Sequence, residues 1–203
     1  MSMNSVEYWS SYKDQVRNTL INAGSKTPVI LTYGLASEIC EVFEVSQKEI
    51  IQGKKFSDER TSELGDVLWY IAAIEAFYEL PHPRYANYLG IPFELNSTHG
   101  MNLVEIQSEA LAFASEISLA MANGEADDIQ YNLNKLLAIV FDVCMVYGLN
   151  IIDCFQSNIV KMKLRHPEGY DKDVIKEHEA EYKATKADIK DKGANEIIVG
   201  LKL

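Results

Sequence analysis

The residues most able to do chemistry are two pairs of acids, Glu38-Ile-Cys-Glu41 and Glu63-Leu-Gly-Asp66. A separation of three puts both carboxylates of a pair on one helical face, about 60° apart around the axis and about 4.5 Å along it. With 30 acids in 203 residues, chance alone supplies such a pair about four times. Taken singly, each pair reads as a solvated helix face. The stripe they occupy points the other way. Continuing from Glu63 and Asp66 along the same face gives Tyr70, Ala73 and Phe77, while Leu64, Val67 and Leu68 flank one pair and Ile39, Val42 and Phe43 the other. Acids in such a stripe face the core side. Four inward carboxylates cannot all stay ionised without a cation, because burial and mutual repulsion both oppose the charge. The compensation that fits hard oxygen ligands is Mg²⁺, with Mn²⁺ as a substitute.

The elements that must position these acids read as helices. Apolar spacing predicts a first helix over about Ser5–Ala23, with Trp9 and Val16 on one side and Gly24 ending it. A second follows Pro28, over about Val29–Gln52, and a third is capped by Ser57 or Asp58 and runs to Leu80. A short connection through Gly53 makes these two antiparallel neighbours, which would bring the four acids to one spot. Pro81, Pro83, Gly90 and Pro92 make residues 81–100 a loop. Three more helices follow, over about Leu103–Asn123, Ala126–Tyr147 and Ile151–Leu164. The tail from Asp171 reads as a charged helix, and Glu196–Leu203 as a short strand or arm. The expected fold is an all-α helical bundle. Shifting the chain by 69 lays 57–80 over 126–149 with matching apolar rhythm. The same shift carries Glu38 onto Gln107, Glu41 onto Ala110, Glu63 onto Asn132 and Asp66 onto Lys135, so only the first hairpin carries the acids. Duplication and chance similarity of two amphipathic hairpins are equal readings.

Composition narrows the class of partner. A net charge of −11 disfavours nucleic acid polymers and anionic membranes, which carry the same sign. Cys40, Cys144 and Cys154 sit among apolar neighbours and form no Cys-x-x-Cys pair, as expected of reduced, buried thiols in a cytoplasmic protein. No apolar window is read as long enough to span a membrane, and no Gly-x-x-x-x-Gly-Lys phosphate loop is present. The four histidines have no ligand spacing. Trp9, Tyr12 and Tyr33 could stack on a base, or equally pack in the bundle.

Gly34-Leu-Ala-Ser-Glu-Ile-Cys-Glu-Val42 followed by Glu63-Leu-Gly-Asp-Val-Leu-Trp-Tyr70 resembles the all-α nucleoside triphosphate pyrophosphohydrolases, the superfamily of the MazG-like proteins and the dimeric dUTP pyrophosphatases. A third segment, Asn158-Ile-Val-Lys-Met-Lys-Leu-Arg-His-Pro167, is similar to the closing motif of that superfamily. The resemblance covers most of 30–80 and 148–171. It implies a domain over 1–170 in which 81–147 is an inserted loop and degenerate hairpin, with a charged helix and tail over 171–203. Compact members lack that insertion, and the extra hairpin is expected to take the packing position otherwise supplied by a second copy.

The resemblance further implies hydrolysis of a nucleoside triphosphate to the monophosphate and pyrophosphate. Glu38, Glu41, Glu63 and Asp66 would hold Mg²⁺, which neutralises polyphosphate charge and orients water. Glu41 or Glu38 would accept the proton of that water. Lys54 or Lys55, and Lys161, Lys163 and Arg165, are the candidate phosphate cations, with helix-end solvation the plain alternative for the first two. Tyr70 matches a position near substrate, or is core. Asn158 bonds substrate or else caps backbone. A homodimer is expected, because members of the superfamily bury bundle faces between subunits; the alternative is that the fused hairpin makes one chain complete. The rival readings are a nucleotide-binding regulatory module with little turnover, and a structural bundle whose acids face solvent.

Overall fold

The computed structural model describes residues 5–20, 24–81 and 102–165. Among these residues it is all-helical, without strands. The helices are α1 (Ser5–Thr19), α2 (Thr27–Gln52), α3 (Ser57–Phe77), α4 (Leu103–Asn123), α5 (Ala126–Tyr147) and α6 (Ile151–Arg165), with a single 3₁₀ turn, Gly24–Lys26, ahead of α2. The expected loop beyond Pro81, the charged tail and the terminal strand lie outside the described residues. The chain divides into two compact units, Met1–Val160 and Lys161–Leu203. The division falls inside α6, while the expected boundary at 170 lies outside the described residues.

Helix boundaries follow local chemistry. α2 starts at Thr27, ahead of the expected Val29, because Pro28 fits the first turn, where its missing N–H would have no intrahelical partner. Neither Ser57 nor Asp58 caps α3. Both are helical, Phe56 holds the cap position, and the Phe56 N–H donates to Glu49 Oε1 at 2.9 Å. α4 has a capping box: Asn102 Oδ1 accepts from the Glu105 N–H at 3.1 Å, and Glu105 Oε2 accepts from the Asn102 N–H at 2.7 Å. α2, α4 and α5 each stop on a glycine in the left-handed region, Gly53, Gly124 and Gly148.

Two hairpins, α2–α3 and α4–α5, form the bundle, with α4 against α2 and α5 against α3. Leu35 and Ile39 of α2, Leu64 and Leu68 of α3, Ala110 and Ile117 of α4, and Leu133 and Leu137 of α5 fill the core. The second hairpin thus packs directly on the first. Its register differs in part from the uniform shift of 69. That shift holds for α3 and α5, where Leu64, Leu68 and Ile71 correspond to Leu133, Leu137 and Val140, all buried. α2 and α4 match at 71 instead, which carries Gly53 onto Gly124 and buried Leu35 and Ile39 onto buried Ile106 and Ala110. The tighter second connection absorbs the difference. Glu38 then corresponds to Glu109, and Glu41 to Ala112.

α5 is long and apolar enough to cross a membrane by length and composition, contrary to expectation, yet 61% of its most apolar window is buried within the protein. Packing on both neighbouring helices accounts for that apolarity. α1 lies on α3 and is tied there by Trp9, Tyr12 and Val16. The Trp9 and Tyr12 rings meet Phe155 of α6 edge-on, at 5.5 and 4.7 Å between centroids.

Candidate metal centre and its supports

The α2–α3 hairpin brings carboxylate oxygens of Glu38, Glu41 and Glu63 within 4.8 Å of one another. Antiparallel neighbours joined by 53–56 make this possible, because each acid lies on the face that its helix turns to the other. Glu38 and Glu63 are half-buried and Glu41 is exposed, so the trio sits at the rim of the bundle and not in its interior. Asp66 lies one turn past Glu63, outside that trio, and is the buried member at 6% exposure. The expected inward orientation thus describes Asp66 and only part of the rest. Glu38, Glu63 and Asp66 all have interactions within the protein.

Asp66 is held by its neighbours. Asn158 Nδ2 of α6 donates to Asp66 Oδ1 at 2.8 Å, and the Tyr12 hydroxyl of α1 donates to Asn158 Oδ1 at 2.8 Å. Asn158 is 1% exposed. Its amide bridges Tyr12 and the Asp66 carboxylate. Burial, and then the negative charge of Asp66, push the Tyr12 hydroxyl well above the ordinary tyrosine range. Trp9 and Tyr12 are buried among core rings, and Tyr33 is exposed at 73%. The first two therefore pack, and cannot stack on a base.

Two helical glycines set the spacing around the acids. A Cβ on Gly65, between Glu63 and Asp66, would lie 2.5 Å from the Cys154 carbonyl oxygen and 3.1 Å from Asn158 Cβ. Only glycine lets α6 approach α3 closely enough for the Asn158–Asp66 bond. A Cβ on Gly34, one turn before Glu38, would lie 2.2 Å from the Tyr70 ring. Tyr70, one turn past Asp66, is half-buried with its ring pressed against the α2 backbone and edge-on to Trp69 at 4.9 Å. Glycine inside a helical pattern is the sequence signal for such approaches, and neither glycine drew attention on that ground.

Lys54 and Lys55 lie past the end of α2, and the Lys54 ammonium rests 4.7 Å from the Phe56 ring centroid. Thirteen positions at the helical rise put Lys54 about 17–20 Å along the axis from Glu41. Lys161, Lys163 and Arg165 occupy the last turns of α6, in the second unit. Arg60, buried at 1%, was not anticipated. It pairs with Glu49 at 2.7 Å, donates to Ser46 Oγ and the Val42 carbonyl, and lies 3.5 Å over the Tyr147 ring, locking the closed end of the first hairpin to α5. Glu75, fully buried, was also missed. Trp9 Nε1 donates to it at 2.9 Å and Lys13 lies 3.8 Å away, yet burial pushes its carboxyl up to about 7.

Cys144 and Cys154 are buried, but Cys40 is exposed. It takes the outer face of α2 while its acidic neighbours Glu38 and Glu41 meet Glu63. All three are free thiols.

The donor set suits a hard divalent cation. Oxygens bound to one Mg²⁺ lie about 3 Å apart when adjacent and about 4.2 Å apart when opposite. The three carboxylates, within 4.8 Å of one another, are spread a little wider than that. The chain matches no family model, no curated protein and no solved structure.

Proposed function

We propose that this protein is a Mg²⁺-dependent hydrolase that converts nucleoside triphosphates, ribo- or deoxy-, to monophosphate and pyrophosphate in nucleotide pool control. The observation that carries the reading is the convergence of Glu38, Glu41 and Glu63 within 4.8 Å, beside an Asp66 held by Asn158. The order and spacing of the acids, similar to the all-α pyrophosphohydrolases, supports it. Glu38, Glu41, Glu63 and Asp66 would hold the cation, which supplies charge neutralisation for the polyphosphate and an oriented water. Glu41, the exposed acid, is placed to take a proton from an attacking water, with Glu38 beside it. Tyr70, whose ring lies against Gly34 one turn before Glu38, is the candidate substrate neighbour. Lys161 and Arg165, the phosphate partners that the resemblance implies, belong to the second unit.

The exposure of Glu41 favours one rival, in which the cluster is a solvated surface feature without turnover. A panel of ribo- and deoxynucleoside triphosphates with Mg²⁺, scored for pyrophosphate against orthophosphate, separates the two. Pyrophosphate from at least one substrate is the expected result. Orthophosphate alone, or no release from any member, rejects the proposal.

A further inference from the structure

We infer that Tyr12 is a positioning residue for the acid cluster, acting through Asn158 to fix the Asp66 carboxylate where a divalent cation would be held. The inference rests on the proposed metal site and adds to it a residue that lies on another helix and touches none of the four acids through any bond described above.

The line runs across three helices. Tyr12 of α1 donates to Asn158 Oδ1 at 2.8 Å, and Asn158 of α6 donates from Nδ2 to Asp66 Oδ1 of α3 at 2.8 Å. Its direction follows from chemistry. A buried hydroxyl that donates can hold only the oxygen end of the amide, so the NH₂ end must face Asp66. A carboxylate accepts a donor there and is repelled by an oxygen. Without the hydroxyl the amide loses its reason to keep that orientation, and the reversed amide would set two oxygens against each other. The hydroxyl has little freedom to leave. Tyr12 is 1% exposed and its ring meets Phe155 and Trp9 at 4.7 and 6.0 Å. The missing side chain of Gly65 brings Asn158 into reach on the other side. Partners that orient a ligand from behind typically change metal affinity by about 10–100-fold when removed.

The test is Mn²⁺ affinity of the full chain, measured by titration calorimetry for wild type, Tyr12→Phe, Asn158→Ala and the double variant, with Tyr8→Phe as a control and helical circular dichroism to confirm folding. Tyr12→Phe is expected to weaken Mn²⁺ binding about tenfold. Asn158→Ala should weaken it at least as much, the double variant no further than Asn158→Ala, and Tyr8→Phe should match wild type. A hydroxyl that only stabilises the fold would lower the unfolding midpoint and leave the affinity of folded protein untouched. Wild-type affinity in folded Tyr12→Phe, or a loss that adds in full to that of Asn158→Ala, overturns the positioning role. Should Tyr12→Phe fail to fold, unchanged affinity in Asn158→Ala overturns it alone. Absence of Mn²⁺ binding by wild type overturns the metal site, and the positioning role with it.

Discussion

At the scale of single residues, the four acids have unequal surroundings, which the proposed site would use differently. Asp66 is buried and hydrogen-bonded, which suits a fixed ligand, whereas Glu41 reaches solvent, which suits proton exchange. Asp66→Asn keeps the size of the side chain and removes one ligand charge. It is expected to lower pyrophosphate release by more than about a hundredfold while circular dichroism stays that of wild type. Undiminished release would remove Asp66 from the site. Gly65 offers an independent check of the packing behind it. Gly65→Ala forces a methyl group against the α6 backbone, 2.5 Å from the Cys154 carbonyl oxygen. The expected loss is about 1–3 kcal/mol of stability in urea unfolding, despite the better helix propensity of alanine. The spacing of the acids was legible in the sequence because helical periodicity alone dictates it. The Tyr12–Asn158–Asp66 line was not, because its members are 146 and 92 positions apart, and no local pattern links them.

At the scale of elements, helix positions were readable because apolar residues recur with the helical period and glycines end three of the helices. What escaped was the polar anchoring between helices. Arg60 and Glu75 read as ordinary charged positions, yet both are buried, and their partners come from other helices. Each acquires its role only from tertiary packing. Glu75 gives the α1–α3 contact a pH dependence. Its carboxyl rises from 4.5 to about 7, chiefly by burial, against the opposing pull of Trp9 and Lys13. The folded chain therefore binds a proton that the unfolded chain has released over that interval. The stability contribution is full below about pH 4.5 and is lost as pH rises through about 7. Its size is of order 3 kcal/mol. Glu75→Gln should flatten that part of the stability profile relative to wild type, read as the difference between the two urea midpoints from pH 5 to 8. Parallel profiles would show that Glu75 does not titrate in this range.

At the scale of the whole molecule, the account concerns where an excess of negative charge is tolerated. The chain carries −11, and the salt bridges of Lys13, Lys48 and Arg60 are made to Glu75, to Glu44 and Glu59, and to Glu49. Among the described residues, those cations are committed to acids other than Glu38, Glu41, Glu63 and Asp66. The homodimer that the resemblance implies is open to a direct test. Sedimentation equilibrium should return twice the chain mass, and a monomer at all concentrations would reject this. The central claim, that Glu38, Glu41, Glu63 and Asp66 form a divalent-cation site, is tested most directly by the unfolding temperature of wild type and Glu63→Gln with and without Mg²⁺. At a hundredfold excess over the dissociation constant, binding adds about 2.7 kcal/mol, which for a chain of this length raises the midpoint by about 5–10 °C. The account predicts that rise in wild type and its loss in Glu63→Gln. An equal response of the two proteins, or none in wild type, would contradict it.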